Sequence, residues 1–102
     1  MAMRRALKNA KLPPSAVDYV NAHATSTSVG DKAENTAVKA LLLGSGGKDS
    51  PSEVNVSSTK GAIGHLLGGA GAIEAVFTVL AIHEVRLLPH WKYMLIMIMC
   101  RT

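Results

Sequence analysis

Residues 17–35 read VDYVNAHATSTSVGDKAEN, and residues 56–75 read VSSTKGAIGHLLGGAGAIEA. In each stretch a short strand-like run gives way to a loop with one histidine, and each loop opens into a helical pattern. Residues 17–22 are short, apolar and rich in β-branched and aromatic side chains, which predicts a buried strand. Residues 54–58 alternate and predict a second strand. Between the strands, Asp31 and Glu34 have the spacing of a helix-start box. Ala33, Ala37, Ala40 and Leu41 continue at helical spacing, and Gly44 to Gly47 stop the helix. A strand–helix–strand unit of this length makes a right-handed crossover between parallel strands.

Outward from this unit, the N-terminal MAMRRALKNAKL is basic and free of acids, the composition of a mitochondrial presequence. Met3, Ala6, Leu7 and Ala10 instead recur at helical spacing, and the segment leads into a strand pattern, so a surface helix is expected. Pro13 and Pro14 end it. After residue 67 a third helix runs to about His83, with Ile73, Val76, Phe77 and Leu80 in one stripe and Val79 and Ile82 beside it. A helix apolar nearly all round is buried in a larger body. The predicted fold class is α/β, in the order helix–strand–helix–strand–helix. Two strands are too few for a parallel sheet covered on both faces, so part of a larger fold is expected.

The 102 residues suit one small domain or a piece of a larger one. The net charge of +4 is compatible with acidic partners, but no basic run is interleaved with aromatics, so no nucleic-acid partner is expected. The single cysteine, Cys100, excludes an internal disulfide and a Cys-rich zinc site. The most apolar stretch, residues 66–82, is interrupted by Glu74 and by glycines, so no membrane span is expected.

Loops leaving the C-terminal ends of parallel strands lie on one side of the sheet, where sites are built. His23 leaves the first strand; Lys60 and His65 leave the second. Two imidazoles donating to one carbonyl oxygen could stabilise a thioester enolate. His65 stands just before a helix N-terminus, whose positive end disfavours imidazolium. Lys60 would add positive charge, and Thr25 and Thr27 could both donate to a ligand amide or carbonyl. Structural roles compete with each of these. A histidine at a strand end serves packing as readily as catalysis, threonines cap turns, and Gly61, Gly64, Gly68, Gly69 and Gly71 allow close backbone approach. The glycines at 44–47 lack phosphate-loop spacing, and two histidines without a third ligand are a weak metal signal.

The two quoted strings together, in this order and at this separation, resemble the C-terminal half of elongating β-ketoacyl-[acyl carrier protein] synthases. The likeness runs from about Met3 to Pro89. It implies a partial thiolase-like fold, with residues 1–89 as the ketoacyl-synthase C-terminal domain and residues 90–102 as a divergent tail outside the family fold. It implies a decarboxylative Claisen condensation in fatty acid biosynthesis. By matching position, His23 and His65 are the family's histidine pair and Lys60 its active-site lysine. Glu34 is the lysine's ion-pair partner and Asp31 the supporting acid, while Thr25 and Thr27 hold the phosphopantetheine arm. Asn21 and Glu74 match positions that help hold a structural monovalent cation in some members. The implied partners are acyl carrier protein and a second copy of the full-length chain, with no cofactor beyond the carrier's phosphopantetheine. The loop wording is most similar to mitochondrial members, with plastid and bacterial cytoplasmic ones as alternatives.

The departures set the limits of that likeness. The nucleophilic cysteine belongs to the family's N-terminal half, and Cys100 has neither its position nor its setting. After residue 89 the family continues into a strand and later a glycine-rich loop, whereas this chain reads HWKYMLIMIMCRT. The expectation is therefore a fragment or gene-model truncation that is inactive alone. A non-catalytic chain that binds a partner or pantetheine arm and a piece of a polyketide ketosynthase are the competing readings.

Overall fold

A computed structural model describes residues 2–85. Helix α1 (Ala2–Ala10) leads through a 3-10 turn at Pro14–Ala16 into strand β1 (Tyr19–Asn21). Helix α2 (Ser28–Leu42), a second 3-10 turn at Pro51–Glu53 and strand β2 (Asn55–Ser57) follow. The short helix α3 (Lys60–Ile63) and a 3-10 turn at Leu67–Gly69 then lead into helix α4 (Ala70–Val85). The divergent tail and Cys100 lie outside the described residues.

The strands pair in parallel, with Tyr19 opposite Asn55, Val20 opposite Val56 and Asn21 opposite Ser57. The ladder extends one step further, where the Ala22 N–H donates to the Ser57 carbonyl at 2.7 Å. The mixed α/β class and the parallel crossover are as the sequence predicts.

The core lies on one side of this pair. Met3 and Leu7 of α1 meet Val17, Val20 and the Val38, Leu41 and Leu42 face of α2, with Leu12 and Val54 at the margin. Met3 and Leu7 are one helical turn apart, so α1 buries a narrow stripe and leaves Arg4, Arg5 and Lys8 in solvent. On α2, Ala33, Ala37 and Ala40 are exposed, whereas Leu41, which shares their spacing, is buried with Val38 and Leu42. The larger Val38, Leu41 and Leu42 remove more apolar area from water and decide the orientation.

The helix-start box is corrected. Helix α2 begins three residues before Asp31, because the Thr27 hydroxyl caps it by accepting from the Gly30 N–H at 3.2 Å. A capping box does form elsewhere, in the segment that leads into β2. There Ser50 and Glu53 bond reciprocally around the turn at Pro51–Glu53.

Helix α4 places its polar side inward. Ala70 and Thr78 are buried, whereas Val76, Phe77, Val79, Leu80 and Ile82 are exposed. Strand β2 is likewise uncovered, with Val56 exposed and its outer edge unpaired among the described residues. The segment Leu67–Glu84 is long and apolar enough to cross a membrane by length and composition, with mean hydropathy 1.3. Glu74 and the glycines still interrupt it, so it is not an unbroken apolar run. Only 11% of this window is buried within the chain. Its inward polar face suits a helix packed in protein on both sides better than one facing lipid all round.

Candidate active site

The loops that follow β1 and β2 converge beyond the C-terminal ends of the strands. Parallel pairing requires this, since both chains leave the sheet in the same direction. The His23 and His65 rings lie edge to face, with centroids 5.2 Å apart and planes at 87°. His23 is half-buried and His65 exposed. The Leu67 N–H donates to His65 Nδ1 at 2.9 Å. An Nδ1 that accepts a hydrogen bond carries no proton, so the neutral ring holds its proton on Nε2 and donates from there.

The loop 22–27 turns sharply. Ala24 and Ser26 have φ of 35° and 61°, in the left-handed region that side chains other than glycine rarely adopt. These two residues set the intervening Thr25 beside Thr27, with hydroxyl oxygens 3.3 Å apart. Thr27 Oγ1 already accepts from Gly30, which leaves its own proton to donate. A Cβ on Gly30 would collide with that hydroxyl oxygen, so glycine here is a condition of the cap.

The expected pairing of Lys60 with Glu34 is corrected. Lys60 Nζ instead pairs with Glu74 Oε1, both side chains being largely out of water. Glu34 accepts from the His23 N–H at 2.8 Å through Oε1 and from the Ala24 N–H at 2.9 Å through Oε2. The physical reason is position. Glu34 lies in the second turn of α2 beside amides that have left the ladder, whereas Glu74 on α4 faces the start of α3. Sequence spacing could not separate two carboxylates that both approach the loops. Asp31 sits in the first turn of α2, favourable for an acid, and enters neither ion pair found among the described residues.

Beneath the loops, Asn21 Nδ2 donates to the Glu74 carbonyl at 3.2 Å and to Thr78 Oγ1 at 3.1 Å. Thr78 Oγ1 in turn donates to the Glu74 carbonyl at 2.8 Å. Asn21 Oδ1 is buried without a partner among the described residues. Of the oxygens at Asn21 and Glu74, the one left to hold a monovalent cation is Asn21 Oδ1. The Glu74 carboxylate already faces an ammonium, its carbonyl already accepts two donors, and one neutral oxygen remains. Thr78 was not singled out by sequence. The signal was one hydroxyl in an otherwise apolar run, VFTVLAI at 76–82.

The family model described as "Beta-ketoacyl synthase, C-terminal domain" matches residues 1–94. The chain belongs to this family. Among relatives, it is 54% identical over 89 residues to the Saccharomyces cerevisiae protein named "3-oxoacyl-[acyl-carrier-protein] synthase homolog", covering 87% of this chain and 20% of the relative. It is 54% identical over 83 residues to "Putative 3-oxoacyl-[acyl-carrier-protein] synthase, mitochondrial" of Schizosaccharomyces pombe, covering 81% of this chain and 19% of the relative. It is 52% identical over 84 residues to "3-oxoacyl-[acyl-carrier-protein] synthase, mitochondrial" of Arabidopsis thaliana, covering 82% and 18%. The chain thus spans about a fifth of the length of these relatives. Other family relatives are bacterial or chloroplastic by name or source. No solved structure matches the chain.

Proposed function

We propose that this chain supplies the histidine-bearing part of a 3-oxoacyl-[acyl-carrier-protein] synthase in fatty acid biosynthesis, with a thiolase-like fold completed by sequence outside residues 1–89. The observation that carries the reading is the edge-to-face His23–His65 pair, with one ring's Nε2 held as a donor. In the reaction, malonyl-carrier protein loses carbon dioxide and its bonding electrons pass into a thioester enolate. The enolate carbon attacks an acyl thioester, a carbon–carbon bond forms, and the thiolate leaves. His23 and His65 hold the thioester oxygen as charge develops on it, which is where preorganised donors lower a barrier most. Lys60 with Glu74 fixes the floor of the site. Thr25 and Thr27 bind the phosphopantetheine arm, Thr25 with the freer hydroxyl. The carrier arm brings the substrate, so the chain's own residues need no further cofactor.

No thiol occurs in residues 2–85, and a thioester cannot be loaded by the same route on histidine or lysine. Residues 2–85 are therefore read as inactive in condensation by themselves. The open apolar side of α4 and the free edge of β2 support a body completed by further family sequence and paired as a homodimer. The mitochondrial names of two relatives support a mitochondrial site of action.

The test uses a synthase carrying this segment and its cysteine-bearing half. His65→Ala should lower malonyl decarboxylation by about 100-fold or more, in line with loss of one oxyanion donor. Thr25→Ala should raise KM for the carrier substrate with a smaller change in kcat. Decarboxylation by His65→Ala at the unaltered rate would overturn the assignment.

A further inference from the structure

We infer that Glu34 is a positioning residue, whose carboxylate clamps the backbone amides of His23 and Ala24 and holds the left-handed loop that presents the His23 ring to His65. The inference rests on the catalytic reading of His23 given above. Three observations carry it. First, the ladder ends at Ala22, whose N–H still reaches the Ser57 carbonyl, so His23 and Ala24 have the first two amides beyond the sheet. Second, those amides meet different oxygens of one carboxylate, at 2.8 and 2.9 Å. Only an ionised Asp or Glu offers two acceptor oxygens to two adjacent N–H groups, and charge makes both bonds strong. Third, the clamp sits where the backbone turns into the unfavourable φ of Ala24 and Ser26. Such a conformation persists only where its surroundings over-determine it.

Lys60 takes Glu74 as its partner, so Glu34 is not an electrostatic partner of the lysine. Its influence on chemistry runs through backbone geometry. Glutamine keeps the shape but presents an NH2 to one of the two N–H donors. Aspartate keeps the charge but falls one methylene short. Neither should replace it.

The test uses the full 102-residue chain in solution. Scalar couplings across hydrogen bonds should link the His23 and Ala24 nitrogens to Glu34 Cδ, with the Ala22–Ser57 coupling as the internal reference. In Glu34→Gln, exchange of the His23 and Ala24 amides with deuterium should accelerate about tenfold or more, while Ala22 stays within about twofold of the unaltered chain. In Lys60→Met both amides should keep their couplings to Glu34. The reference coupling without the Glu34 couplings would overturn the inference, and this holds even where Glu34→Gln fails to fold. Equal acceleration at Ala22 would also overturn it, because the clamp would then not be local. In the restored synthase, Glu34→Gln should lower kcat for decarboxylation and leave KM for the carrier substrate within about twofold. Couplings present with unchanged kcat for both Glu34→Gln and His23→Ala would sink the catalytic reading and leave the clamp standing.

Discussion

Replacing Lys60 with methionine removes the ammonium and keeps most of the aliphatic stem. The Lys60 side chain is 7% exposed and that of Glu74 16%. The substitution leaves a mostly buried carboxylate without its cation. Breaking a fully buried pair by removing one partner costs about 3–5 kcal/mol. Water reaches part of Glu74, so screening reduces this, and about 2–4 kcal/mol is expected. For a chain of this size, each kcal/mol moves the melting midpoint by about 4–8 °C, which gives a fall of roughly 8–32 °C. The double variant Lys60→Met with Glu74→Leu buries no charge and should lose less than either single variant. The coupling should be about 1–3 kcal/mol. Urea denaturation followed by circular dichroism checks all four proteins, and a shift in midpoint at constant slope reads stability directly. A loss under about 0.5 kcal/mol for Lys60→Met would show that the pair is effectively solvated. A double variant equal to the sum of the singles would show that the two side chains act through packing alone.

Gly30→Ala should destabilise the start of α2 by about 1 kcal/mol, as loss of an N-cap does, because the new methyl displaces the Thr27 hydroxyl. Thr27→Ala should match it and Thr27→Ser should retain stability, a comparison made by the same denaturation series. Val79, 61% exposed on α4, should accept glutamine in this chain with a change within about 0.5 kcal/mol. Self-association measured by sedimentation should fall in that variant, since the exposed apolar patch drives it. In a restored synthase the same substitution should cost about 1–3 kcal/mol, as an unpartnered amide in an apolar interface does.

Residues that fold by local pattern were legible in the sequence. Val17 to Ala22 and Val54 to Ser58 announced the parallel pair, and topology alone then placed His23 and His65 on one side of it. Three things were not legible, for different physical reasons. Asp31 and Glu34 imitate a capping box, but Thr27 competes for the same helix start and wins because its hydroxyl reaches the Gly30 amide. Lys60 had two carboxylates to choose from, and which one it meets depends on how α4 crosses beneath the loops. Thr78 is an unremarkable hydroxyl in the sequence, and its importance arises only when Asn21 arrives from another element.

That last contact explains why the site can keep its shape although half its helix surface is bare. Asn21 ends β1, Glu74 and Thr78 lie one turn apart on α4, and Lys60 begins α3 after β2. The amide of Asn21 bonds α4 twice, and the ammonium of Lys60 bonds it a third time. The two histidine loops are thereby fastened to the same helix by polar bonds, not by apolar packing. Apolar contacts are non-directional and tolerate sliding, whereas donor and acceptor geometry fixes distance and angle. The apolar face of α4 is thus free to bind further chain without resetting the loops. The placing of the histidines is set from within this unit, by the Glu34 carboxylate at the first loop and by the polar bonds to α4 beneath both, and water exclusion around them depends on whatever covers the other face. Chemistry that needs a dry site would therefore separate into two requirements, and the mutual geometry of His23 and His65 is the part carried within residues 2–85.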